Sequence, residues 1–380
     1  MILESIEASA LAIPFNIAFK HASAERATTQ ALWVQARARD GAAGFGEGCP
    51  REYVTAESLE SAHAFVRAHL HDWLDSIHDV GALADWTERH RGDIDVHPAA
   101  WAGVELALLD LIGKVERKTV ESLLGLPQLT GSFRYTAVLG DAAPRQFEAQ
   151  LAHYIEAGFR DFKIKLSGDN ARDLAKIRGL TAAGVQAQAV RADANNLWSD
   201  ADAAIRGLRA LDFPFFGVEE PLRPGDYAGM HRVALALDTK IILDESLLRS
   251  DQLDRLADPV DRWIANVRVS KMGGLLRSLA LVSAVRRRGL RAIVGAHVGE
   301  TSLLTRAGLT VANESKDILV AQEGAFGTHL LAHDVVEPPL MFGPGGILKT
   351  DALGIGSAPG LGLAVLEPAP HLTPLAGPST

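Results

Sequence analysis

Two lysines and three carboxylates are spaced so that together they could move a proton and hold a metal ion. Lys163 and Lys165 alternate with Phe162 and Ile164 in the run Phe159-Arg-Asp-Phe-Lys-Ile-Lys. In a strand the two lysines share a face, because successive side chains point to opposite sides. On a partly buried face, desolvation and mutual repulsion would lower both pKa values towards those of a proton-abstracting base. On a solvated edge strand the same pair would do no chemistry. Asp193, Glu219 and Asp244 follow, in Arg191-Ala-Asp193-Ala-Asn195, Val218-Glu219-Glu220-Pro221 and Leu243-Asp244-Glu245-Ser246, 26 and 25 residues apart. Three acids brought to one point repel unless a cation joins them. Hard oxygen donors with room for water and substrate oxygens suit Mg²⁺, or Mn²⁺, better than Zn²⁺.

The elements that must bring these residues together are short β-like runs alternating with amphipathic segments. The runs are 133–138, 161–165, 188–193, 215–219, 240–244, 262–268, 291–295 and 317–321. Helical periodicity lies between them, as in Arg145 to Ile155, Ala201 to Leu211 and Leu276 to Arg287. Eight such units are what a (β/α)8 TIM-type barrel needs, although periodicity alone also admits a doubly wound sheet. In a barrel the chemistry sits at the C-terminal strand ends, where Lys165, Asp193, Glu219 and Asp244 all fall.

The remaining strand ends supply Arg268 on the sixth, His297 and Glu300 on the seventh, and Gln322-Glu323 on the eighth. Residues 1–125 read as an α+β capping domain, with strands over Ile2 to Pro14 and Ala31 to Ala38 and a glycine-rich turn and strand over Gly41 to Gly48. Helices follow from about Thr55 to Trp73 and from Pro98 to Lys114, the latter with its apolar residues on one face. Residues 126–340 hold the barrel, and residues 341–380 return to pack on the cap. Two loops of the cap, Asn16 to Thr28 and Cys49 to Thr55, have the mixed aromatic and charged composition of segments that cover a site.

Composition narrows the classes. At 380 residues the chain exceeds one ordinary core. A formal charge of −9 argues against nucleic acid as a partner, because binding a phosphate backbone needs a basic face. Cys49 is the only cysteine, so no intrachain disulfide forms and a reducing compartment is expected. The segment Met1-Ile-Leu-Glu-Ser-Ile-Glu carries acids where a signal peptide would be basic, and there is no apolar run of about 18 residues. A cytoplasmic protein with no membrane partner is the expectation.

With Lys163-Ile-Lys165, Arg-x-Asp193-x-Asn, Val-Glu219-Glu-Pro and Leu-Asp244-Glu-Ser in this order, nearly the whole chain resembles the enolase superfamily, and within it the muconate-lactonising subgroup. The resemblance implies Mg²⁺ held by Asp193, Glu219 and Asp244, a substrate carboxylate bound to it, and Lys165 moving the α-proton through a metal-stabilised enediolate. It further implies that Lys163 lowers the pKa of Lys165, that cap loops complete the pocket, and that the chain forms homo-oligomers.

The sequence departs from the subgroup at three strand ends. Arg268 stands where a second catalytic lysine is usual, and arginine is a poor base but a good electrostatic partner. Lys271, three residues on, would face away along an unbroken strand. His297 occupies the seventh-strand place where the mandelate-racemase subgroup carries a base. The Asp-x-Asp typical of dipeptide epimerases is absent from the eighth strand end. The leading expectation is therefore a Mg²⁺-dependent lyase or cycloisomerase using one lysine on a small carboxylate. The alternatives are a racemase or epimerase using Lys165 and His297, and a non-catalytic carboxylate-binding protein. His21, Arg51, Tyr53, Asn195, Glu300 and Glu323 are the expected substrate contacts.

Overall fold

The computed structural model describes residues 1–21 and 24–375, the side chains of residues 17–26 excepted. Eight parallel strands lie side by side: Ala137–Leu139, Phe162–Lys165, Val190–Asp193, Gly217–Glu219, Lys240–Leu243, Trp263–Val267, Arg291–Val294 and Leu319–Gln322. The first and eighth are drawn together where Thr136 N donates to Gln322 O at 2.8 Å. The Gln322 amide also donates to the Tyr135 hydroxyl at 2.8 Å. Helices such as Pro144–Glu156, Asn170–Ala182, Ala201–Ala210 and Ser302–Glu314 follow the strands, giving the (β/α)8-type barrel. Between the fifth and sixth strands the connection is made by two short 3₁₀ turns, Ser250–Arg255 and Val260–Arg262.

The first expected strand divides. Ser132–Arg134 pairs antiparallel with Ile347–Lys349, and Ala137–Leu139 alone enters the barrel. The chain changes partner in between, with Tyr135 N bonded to Gly346 O at 2.7 Å before Thr136 N turns to Gln322.

The cap is an antiparallel sheet in the order Leu372–Pro374, Leu3–Leu11, Ala31–Ala38, Ala43–Gly48. Its first long helix starts at Leu59 and not near Thr55. Ala56 adopts a left-handed φ of 59°, and Ser58 and Ser61 then form a reciprocal capping box. Pro14–His21 and Ala24–Thr28 pair as an antiparallel ribbon where the sequence reads as a loop.

The periodicity of Pro98–Glu116 predicts one buried face, yet Pro98 through Gly113 are buried on all sides. It lies between the strand Ala43–Gly48 and the barrel segment Val269–Met272, so both faces are inside. Glycine makes the first contact feasible. A Cβ on Gly44, Gly46 or Gly48 would sit 2.2, 2.0 or 1.9 Å from the carbonyl oxygens of Ala107, Gly103 and Ala99. Among the described residues, no helix is long and apolar enough to cross a membrane.

Candidate active site

Parallel register sets the site's lower level. Lys165 lies opposite Asp193, and Asp193 opposite Glu219, so three consecutive strand ends present their last residues side by side. Asp244 follows the fifth strand directly, one residue past Leu243. Lys165 Nζ donates to Asp193 Oδ2 at 2.8 Å and to Asn195 Oδ1 at 2.6 Å. Lys163 Nζ donates to both Glu219 oxygens, at 2.8 and 3.0 Å, and to Glu323 Oε2 at 2.9 Å. The Arg268 guanidinium bonds Asp244 Oδ2 and lies 3.5 Å from Glu219 Oε1. Lys271 bonds Asp244 Oδ1 at 2.8 Å.

These partners change the expected electrostatics. The Lys163 pKa moves up and not down. Burial acts to lower it, but Glu219, Glu323 and Asp193 outweigh burial, so Lys163 is a fixed cation. Glu219 is pushed up to about 8, first by burial and then by Asp193, Glu323 and Asp244, against the pull of Lys163. Asp244 is held down: burial raises it, and Arg268 and Lys271 more than reverse that.

Lys271 reaches this cluster because the sixth strand ends at Val267 and the helical turn Val269–Met272 swings the side chain back, so the strand is not unbroken. It also bonds the carbonyls of Asp244 and Asn266, at 2.7 and 2.9 Å. The whole side chain is buried.

The donor set suits a hard divalent cation by type: three buried carboxylates on adjacent strand ends, one of them pushed to about 8 by burial and then by the neighbouring acids. Protein cations currently stand between them. Lys163 bridges Glu219 and Asp193, and Arg268 bridges Asp244 and Glu219. Among the described residues, accordingly, no three His, Cys, Asp or Glu groups are spaced around a single ion.

The expected substrate contacts divide. Asn195 lies beside Lys165, and His297 and Glu300 share the seventh-strand loop, where His297 N donates to Glu300 Oε1 at 2.7 Å. Burial raises Glu300 to about 8 against that hydrogen bond. Tyr53 is 38% exposed on the turn Glu52–Thr55. Arg51 is differently engaged from what its loop position suggested. Its guanidinium donates to the carbonyls of Thr29, Gln30, Pro50 and Val298 at 2.8–3.1 Å, tying the cap to the seventh-strand loop. Glu323 is the buried counter-ion of Lys163, and Arg191 lies 3.6 Å from its other oxygen. The His21 side chain lies outside the described residues.

Two positioning residues escaped the sequence reading. Glu220, with a left-handed φ of 39°, accepts hydrogen bonds from Asp244 N at 2.7 Å and Ser246 N at 2.8 Å, and so fixes the fifth strand end. The second glutamate of Val-Glu-Glu-Pro was the signal available for it. Lys176 donates to Lys165 O at 2.7 Å from the following helix, and nothing in its local sequence marks that role.

Known proteins resemble this chain over most of its length. A family model described as Enolase C-terminal domain-like matches residues 146–368. One described as Mandelate racemase / muconate lactonizing enzyme, N-terminal domain, matches residues 5–125. The L-Lys-D/L-Arg epimerase of Methylococcus capsulatus is 28% identical over 356 residues, spanning 92% of this chain and 94% of that protein. Chloromuconate cycloisomerase of Cupriavidus pinatubonensis is 23% identical over 345 residues, 88% of each chain. The crystal structure of the Methylococcus capsulatus dipeptide epimerase, complexed with Mg and the dipeptide L-Arg-D-Lys, matches with a TM-score of 0.80 at 26% identity, covering 96% of this chain and 100% of that one.

Proposed function

The chain belongs to the mandelate racemase/muconate lactonizing enzyme family of the enolase superfamily, and on that premise we propose that it is a Mg²⁺-dependent lyase or cycloisomerase that takes the α-proton of a small carboxylate substrate with Lys165. The observation that carries this reading is the placement of the Lys165 amine, 2.8 Å from Asp193 and 2.6 Å from Asn195, at the edge of the carboxylate cluster.

Asp193, Glu219 and Asp244 would hold Mg²⁺, or Mn²⁺, which when bound supplies Lewis-acid stabilisation of the charge that develops on the substrate carboxylate. Lys165 acts as the free amine, accepts the proton and returns it to the substrate or its leaving group. Asn195 and Asp193 orient that amine. Lys163 stays charged between Glu219 and Glu323 and keeps the pocket attractive to an anion. Arg268 adds a second permanent cation across the pocket.

A second reading, epimerisation, is favoured by the likeness to the Methylococcus capsulatus epimerase. It requires a second base besides Lys165, and the candidates are His297 and Lys271, since Arg268 is permanently protonated.

Proton NMR in D₂O with Mg²⁺ tests the proposal, using a panel of muconates, acid sugars, hydroxyprolines, N-acyl amino acids and dipeptides. Loss of the α-proton signal or product formation, abolished by chelator, is expected for one class and from one enantiomer. Exchange from both enantiomers would establish epimerisation. Silence across the panel, combined with no Mg²⁺ binding, would overturn both readings.

A further inference from the structure

We propose that Arg268 fixes His297 as the neutral tautomer protonated at Nε2, so that His297 is a hydrogen-bond donor and not a second base. The inference rests on reading this strand-end cluster as the catalytic site. Arg268 Nη1 lies 3.3 Å from His297 Nδ1, and both side chains are buried. A guanidinium has donors and no acceptor, and it keeps its charge at any pH the protein survives. The hydrogen bond therefore has one direction: Arg268 donates, and Nδ1 contributes its lone pair.

An imidazole whose Nδ1 accepts is neutral and carries its proton on Nε2. Its one basic lone pair is already taken by Arg268. To act as a base at Nε2 it would have to exist as the opposite tautomer, placing an N–H against the guanidinium N–H.

The surrounding structure holds this contact in place. Arg268 is tethered at its other end by Asp244 and lies 3.5 Å from Glu219. His297 is anchored through its own backbone N–H, which donates to Glu300 Oε1 at 2.7 Å. Gly295 makes room beside them, since a Cβ there would lie 2.2 Å from Asn266 Oδ1 and 3.2 Å from Arg268 Cγ. An acid at position 268 would accept from Nδ1–H and leave Nε2 basic, whereas arginine imposes the reverse polarity. As between His297 and Lys165, proton transfer at the α-carbon then falls to Lys165.

The test is the long-range ¹H–¹⁵N correlation spectrum of the full chain labelled with ¹⁵N-histidine and saturated with Mg²⁺. The His297 signals are assigned by their loss in His297→Gln. The expected pattern is a protonated Nε2 and an unprotonated Nδ1, altered in Arg268→Met. A protonated Nδ1 in the wild-type chain would overturn the proposal, as would a wild-type pattern persisting in Arg268→Met. If Arg268→Met does not fold, the wild-type spectrum decides alone. Failure here is distinct from failure of the proposed function, because Mg²⁺-dependent exchange by Lys165 can be present with either tautomer. Conversely, a protonated Nε2 in a chain that neither exchanges an α-proton nor binds Mg²⁺ would overturn the function and not the tautomer.

Discussion

Lys165 Nζ stands 2.6 Å from Asn195 Oδ1, so the amine proposed to move the proton is aimed by a residue two positions beyond a proposed metal ligand on the neighbouring strand. Asn195 holds a left-handed φ of 44°, which turns its side chain back over the strand end, and its own N–H bonds Asp193 Oδ1 at 3.1 Å. Asn195→Ala should therefore lower kcat by about 10- to 100-fold with a smaller change in KM, the scale seen when an orienting partner is lost. Asn195→Asp keeps an acceptor oxygen facing the amine and should lose less activity than Asn195→Ala. Steady-state kinetics across pH on any substrate found in the panel checks both outcomes.

Glu105 predicts a pH dependence of stability away from the site. It is buried in the helix Pro98–Glu116 and accepts the backbone N–H groups of Leu275 and Leu276 at the start of a barrel helix. Burial pushes its pKa from 4.5 up to about 7. The folded state thus holds a proton that the unfolded state releases, so this contribution is fully present below about pH 4.5 and is lost as pH rises through 7. Its size is about 3 kcal/mol. Glu105→Gln should remove that part of the slope between pH 4.5 and about 7 in urea unfolding. An unchanged slope would show that Glu105 is ionised when folded.

Arg51 joins four backbone carbonyls from the cap and the seventh-strand loop. Arg51→Ala should destabilise the protein by about 3 kcal/mol, because buried acceptors lose their donor. Lysine should rescue little, since a point charge cannot span the same fork. If Arg51 instead bound substrate, KM would rise with the unfolding midpoint unchanged.

Gly46 is required by close approach. A Cβ there would sit 2.0 Å from Gly103 O in the central helix. Gly46→Ala should cost about 3 kcal/mol or abolish soluble expression, whereas alanine at the open, exposed Gly92 should be well tolerated. Parallel unfolding curves of the two variants check the contrast.

The barrel was legible because short β-like runs alternate with amphipathic segments, and because the order Lys165, Asp193, Glu219, Asp244 survives any shift of a strand boundary. The two-sided burial of Pro98–Glu116 was not, since its second apolar contact is Val269–Met272, far along the chain. The rise in the Lys163 pKa was hidden for the same reason. The neighbouring Lys165 is visible in sequence, but the deciding carboxylates, Glu219 and Glu323, lie 56 and 160 residues away. Arg51 shows the limit for loops, where composition gives the residue type and only the fold gives the direction of the side chain.

Lys165 is proposed to move the α-proton in a Mg²⁺-dependent reaction. The most direct test of that role is solvent deuterium incorporation by wild type and by Lys165→Ala, with Mg²⁺ binding measured calorimetrically on both. Mg²⁺ binding should be equal within about tenfold, and incorporation should fall by at least about 100-fold in the variant. Incorporation by Lys165→Ala at near wild-type rates, with Mg²⁺ bound, would contradict that role.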